Sequence, residues 1–413
     1  MEKLKHLETI LTSDRIDVFL RLAPVAYLVG MASFHIQQAH IWDAKHGLLL
    51  MGDYICYWLA AVTVLAGAPF DVYDNDAFRL VAENFVAEYG YLPFMYPPTY
   101  LLAMVPFGLL PNWLSHILFF SLTLGALALV GRFIWGGWKG ALIACAFPGV
   151  LGVLIHGQNS FLTAALFGGA LAALGGKRYI LAGVLIGCMT YKPQIGVLIP
   201  FALLAGRFWT TFITAGVTTV VLAALPAVAF GPEIWLAFLE QSKFAATLLD
   251  KELVEFWKYL SIYAGLRMLG LPDQAAMVAQ LFVAAGCLVW VLRLWRSDAP
   301  FELRAAGLVA ASLLASPYML TYEYIILAVP ILFLARHAVD GNLMPFDTSL
   351  YVLIVLLTLI ARVIAEHTGI PLGSAPVLLT MFLTHRYYKQ WEHRRTNVAG
   401  SIRPPVSSPA PGA

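Results

Sequence analysis

Apolar runs of spanning or near-spanning length recur along this chain from Val18 to residue 388, and they leave few folds open. A segment crossing a bilayer must satisfy its own backbone hydrogen bonds and needs about 20 apolar residues, which makes the helix the natural solution. The runs predict about twelve transmembrane helices, over residues 18–34, 115–134, 138–155, 160–175, 179–191, 194–206, 210–230, 275–295, 303–316, 321–336, 348–363 and 374–388. Composition agrees: 60% of the residues are apolar and 12% charged, where a soluble domain carries about 25% charged. The expected class is therefore an all-α polytopic membrane protein. With a net charge of +2 and no basic stripe or lysine-rich arm, nucleic acid is set aside as a partner.

Cys145, Cys188 and Cys287 sit inside apolar runs and Cys56 stands alone, so neither a disulfide framework nor a CxxC metal pattern is present. Lys3, Lys5 and Arg15 precede the first run without a small-residue cleavage site after it, the pattern of a retained signal anchor. Residues 392–413 fill with Pro, Ser, Gly and Arg and read as a disordered cytoplasmic tail behind a transmembrane domain of residues 1–391.

Cytoplasmic loops collect Lys and Arg. With the N-terminus inside, 18 of the 26 Lys and Arg fall inside and 8 outside. This orientation holds if two short stretches, 98–111 and 259–271, are re-entrant or interfacial helices on the outer side. The first outer loop, 36–97, is long and is expected to carry amphipathic helices near 54–66 and 75–88. A second outer loop, 231–274, mixes Phe244, Trp257 and Tyr259 with Lys243, Lys251 and Lys258, a composition suited to lipid headgroups.

Under this topology the unusual polar groups share the outer side: Gly52-Asp53-Tyr54, Tyr96-Pro97-Pro98, His156-Gly157-Gln158-Asn159, Tyr191-Lys192-Pro193-Gln194, and Ser316-Pro317-Tyr318 followed by Tyr322-Glu323-Tyr324. Ionisable groups near the apolar core are costly and mark substrate paths. Asp53 precedes a helical run and reads both as an N-cap and, beside Tyr57, as a general base. Lys192, before Pro193 at a helix break, reads as a phosphate contact rather than a lysine snorkelling to the interface, and its replacement by Met is expected to weaken donor binding with expression retained. His156, Gln158 and Asn159 break two apolar helices; the amides suit sugar hydroxyls or, for Asn159, a helix cap. Asp71, Asp74 and Asp76 have the spacing of a metal-nucleotide motif but fit the acidic first turn of a helix better. Glu323 is open to a substrate contact or to pairing with Lys192 or Arg267.

The order Asp53-Tyr54-x-x-Tyr57-Trp58, Leu65-x-Gly67-x-Pro69-Phe70-Asp71-x-Tyr73, Tyr96-Pro97-Pro98, Gly157-Gln158-Asn159, Lys192-Pro193-Gln194 and Ser316-Pro317-Tyr318 resembles the glycosyltransferase family 87 mannosyltransferases over roughly residues 17–340. The resemblance implies a GT-C fold. It also implies a polyprenyl-phosphate sugar donor, typically mannose, used on the outer face of a bacterial inner membrane, and a glycolipid or glycan acceptor. The catalytic Asp in the first outer loop carries over to Asp53. Where mycobacterial members have a His-containing stretch after Ser316-Pro317, this chain has Tyr322-Glu323-Tyr324. The expected site is Asp53 as base, Lys192 at the donor phosphate, and Tyr57, Tyr96, His156, Gln158, Asn159, Gln194, Tyr318, Tyr322 and Glu323 at sugar or acceptor, with no metal or other cofactor. The competing reading is a transporter or flippase of lipid-linked saccharides, disfavoured because the repeated halves common in such carriers are not seen.

Overall fold

A computed structural model describes residues 13–37, 42–43, 48–49, 52–85, 93–250 and 255–401. Lys3 and Lys5 of the expected anchor, Lys251, and the tail beyond Ser401 lie outside the described residues.

Each of the twelve predicted runs coincides with helix, but the helices differ in what their length allows. Five among the described residues are long and apolar enough to cross a bilayer: Asn112–Trp135, Trp209–Phe230, Asp273–Arg296, Thr321–Asn342 and Asp347–Thr368. A sixth candidate is the pair Trp138–Ala146 and Gly149–His156, bent by 58° at Phe147-Pro148. The helices Ser160–Gly175 and Phe301–Ala315 have 16 and 15 residues, so each reaches only ~22–24 Å against a hydrocarbon core of about 30 Å. Tyr179–Tyr191 and Pro193–Ala205 are shorter still and meet at Lys192-Pro193, where proline removes a backbone donor. Twelve full crossings are therefore not reached by helix length.

Burial separates the centre of the bundle from its rim. In Thr321–Asn342, 72% of the apolar window is enclosed by protein, against 11% in Trp209–Phe230. The former is a core element; the latter presents Val217, Val220 and Val228 outward, a surface suited to lipid. Close contact relies on small residues, as is usual for helices in membranes. A Cβ on Gly187 would lie 2.4 Å from Cβ of Thr218, so the helix Tyr179–Gly187 can approach Trp209–Phe230 only through glycine there.

Two expectations change. The helix Tyr54–Leu65 is not amphipathic: Tyr54 through Ala61 are all buried, because the helix is wedged beneath Pro98–Gly108, with Gly108 against Ala61. Asn75–Phe85 is the amphipathic one, burying Phe78 alone. The last helix, Ala375–Ser401, continues ten residues past the expected boundary at 391. Arg394 donates to Asn342 Oδ1 at 2.7 Å and Arg395 meets Asp298 at 3.0 Å, contacts that composition does not reveal. Apart from one antiparallel pair, Trp42–Asp43 with Leu48–Leu49, the described residues form no strand longer than an isolated bridge between Tyr259 and Leu320.

Candidate active site

Members of all five polar groups line one cavity of about 450 Å³: Asp53, Tyr96, Gln158, Lys192, Tyr318 and Glu323, with Tyr57, Gln194 and Tyr322 completing the polar wall. Local backbone chemistry explains how segments so far apart in sequence meet.

The Asp53 N–H donates to the carbonyl of His156 at 2.8 Å. That contact requires glycine at 52: its φ is +61°, and a Cβ would sit 2.2 Å from the His156 carbonyl carbon. Gly157, also left-handed at φ +62°, ends Gly149–His156 and turns the chain so that Gln158 faces Asp53. Asp53 stands at the N-cap position of Tyr54–Leu65 but makes no side-chain cap hydrogen bond. Its Oδ2 accepts from Gln158 Nε2 instead. Gln158 Oε1 in turn accepts from Tyr57 Oη at 2.7 Å and Tyr96 Oη at 3.1 Å, which fixes the direction of the amide. The carboxylate is therefore held by a chain of polar groups, not spent on the helix.

Asp53 lies in the connection ahead of that helix, outside the candidate spans. Burial pushes its carboxyl up to about 6, against the Gln158 hydrogen bond and the charge of Lys258, which both pull it down. A carboxylate poised near neutrality is a better proton acceptor than an ordinary aspartate. If Asp53 is the base, activity is lost as pH falls through about 6 and recovers above it. Gln158→Leu removes a contact that favours the charged form, so the acid limb of kcat/KM should move to higher pH. An unmoved limb in a folded, active Gln158→Leu protein would separate Asp53 from the titration.

The opposite wall carries Lys192. Its ammonium donates to Glu323 Oε1 at 2.5 Å, and both side chains are about 95% buried. Of the two pairings open to Glu323, the structure forms this one; Arg267 Nη1 donates to the Leu271 carbonyl at 3.1 Å. Lys192 also lies 5.9 Å from the Tyr322 ring and 6.0 Å from that of Tyr96, at the outer limit of a cation–π contact. Glu323 Oε2 is buried and has no hydrogen-bond partner among the described residues.

Two predicted site residues stand behind the wall. His156 Nδ1 donates to the Gly152 carbonyl at 2.8 Å, since a carbonyl can only accept, and Nε2 is left to receive the guanidinium of Arg362. Asn159 is fully buried at the N-cap of Ser160–Gly175, caps nothing with its side chain, and lies against the hydroxyls of Tyr96 and Tyr100. Both shape the cavity rather than line it. The run containing Asp71, Asp74 and Asp76 starts a helix, with Asp74 Oδ1 accepting from the N–H groups of Asp76 and Ala77, each at 3.0 Å.

Sequence reasoning missed the apolar lining from Met95, Phe238 and Met319. It also missed Arg362, which holds His156 and lies 5.1 Å from the Trp257 ring. An arginine inside an apolar run was the available signal.

These features describe a helical membrane protein with a polar cavity holding one perturbed carboxylate and one buried ion pair. The family model for glycosyltransferase family 87 matches residues 94–317, more than half of the 413. The chain belongs to glycosyltransferase family 87, and is a membrane glycosyltransferase. The match takes in Tyr96, His156, Gln158, Asn159, Lys192 and Gln194, while Asp53 precedes it and Tyr322 and Glu323 follow it. No curated protein and no solved structure matches the chain.

Proposed function

We propose that this glycosyltransferase moves a sugar, mannose on the family resemblance, from a polyprenyl-phosphate donor to a hydroxyl of a glycolipid or glycan acceptor, with inversion, on the outer face of a bacterial inner membrane. The observation that carries the reading is the juxtaposition of Asp53, with its raised pKa, and the Lys192–Glu323 pair around one cavity.

In the proposed step Asp53 takes the acceptor hydroxyl proton as that oxygen bonds to the anomeric carbon. The bond from that carbon to the phosphate oxygen breaks, and polyprenyl phosphate leaves with the electron pair. Phosphate is already a good leaving group, so one base and one cation suffice and the reading calls for no metal. Lys192 has three donors and, among the described residues, spends one on Glu323, which leaves two for phosphate oxygens. The unsatisfied Glu323 Oε2 is suited to accept from a sugar hydroxyl. Tyr96, Gln194, Tyr318 and Tyr322 supply further polar edges.

The test is transfer itself. Purified protein given labelled polyprenyl-phosphate mannose and membrane glycolipid extract should yield labelled glycolipid with inverted anomeric configuration. Release of no polyprenyl phosphate from any polyprenyl-phosphate hexose would overturn the donor assignment.

A further inference from the structure

A second cavity, of about 810 Å³, opens at the other end of the bundle. Two helices measure its separation from the first. Phe301–Ala315 has Arg304 in its first turn, at the second cavity, and runs up to Ser316, two residues before Tyr318 at the first. Pro193, at the first cavity, leads through Ile199–Ala205 to Arg207 at the second. Each path covers ~20 Å, most of a hydrocarbon core. The second cavity therefore sits near the opposite headgroup level.

Its chemistry is cationic over an apolar base. Arg207, Arg296 and Arg304 converge on it, with Asp298 as the one lining acid, and Asp298 is already held by Arg395 at 3.0 Å. Glu302 is the other acid near enough to act on Arg304. Arg304 Nε is buried and has no hydrogen-bond partner among the described residues, although such a donor is costly to leave unpaired. The floor is Trp295, whose indole N–H is committed to the Arg304 carbonyl at 2.9 Å. One wall is Phe201 and Leu204, both substantially exposed. Guanidinium groups suit phosphate oxygens, and exposed apolar side chains beside them suit acyl chains.

From this we infer that the second cavity binds the phosphate headgroup of an anionic phospholipid in the leaflet opposite the sugar-transfer cavity, with the acyl chains lying along Phe201 and Leu204. The occupant is a lipid rather than a soluble phosphate because Phe201 and Leu204, on the helix Ile199–Ala205, leave an exposed apolar wall beside the arginines.

Thermal unfolding of the full-length protein in neutral detergent tests this. Phosphatidylglycerol should raise the midpoint by a few degrees in a saturable way, whereas phosphatidylcholine and inorganic phosphate at the same concentration should not. Arg304→Gln should abolish the response. Should Arg304→Gln fail to fold, Arg207→Gln combined with Arg296→Gln, both at exposed positions, should reduce it at least tenfold in lipid concentration. An equal response to inorganic phosphate would make the site one for a soluble anion and overturn the lipid assignment. A response to phosphatidylcholine, or one unchanged in the arginine variants, would overturn the site.

Discussion

Asp53→Asn is expected to lower sugar transfer by about 10²–10⁴-fold while the protein still folds, the range lost when a positioned general base is removed. The structure makes the experiment clean. Asp53 contributes no side-chain cap to Tyr54–Leu65, so no helix-capping bond is lost. An amide of the same shape can still accept from Gln158 through its oxygen, and the backbone link from residue 53 to His156 is untouched. Only the capacity to take a proton disappears. Near-normal transfer by a folded Asp53→Asn protein, measured with labelled donor, would remove Asp53 from the mechanism.

Lys192→Met is expected to act first on stability. Removing one partner of a buried ion pair strands the other charge in low dielectric, at a cost of about 3–5 kcal/mol. Here the stranded group is Glu323, whose Oε2 already lacks a partner among the described residues. The expectation of retained expression, drawn from a lysine imagined at a free anion site, is therefore replaced by poor yield or a markedly lower Tm. Lys192→Met with Glu323→Gln removes both charges and should recover most of the stability, while donor affinity stays weak because the cation is gone. Wild-type Tm in the single variant would show that the pair is not buried as described. Wild-type donor affinity in the double variant would remove Lys192 from phosphate recognition.

Helix positions were legible because apolar runs bounded by Gly, Pro and Arg declare themselves in one dimension. Crossing was less so: 160–175 and 303–316 read as spans, but their helices are short and lie among other helices, where shortness carries no hydration penalty. The convergence of Asp53, Gln158 and Lys192 could be read from topology, since a charge bias sorts loop ends onto faces. What lay beyond reach was pairing. Nothing local to Lys192 states that Glu323, 131 residues later, is its partner. Likewise His156 and Asn159 sit beside cavity-lining residues in sequence yet turn away from it, because Gly157 redirects the chain between them. Arg362 stands inside the apolar run 348–363, which marks it as unusual, but its contact to His156 required the third dimension.

Among the described residues that line the transfer cavity, the carboxylates are Asp53 and Glu323 and the one ammonium is Lys192, so with Asp53 ionised the lining carries one more negative than positive charge even before an anionic donor enters. On the proposed mechanism, a phosphodiester donor brought into that space is repelled by the carboxylate that would later accept a proton. Protonating Asp53 would ease entry and at the same time disarm the base. Under that mechanism donor capture and turnover pull the same proton in opposite directions, and the pH of highest activity is expected to mark where those two demands balance.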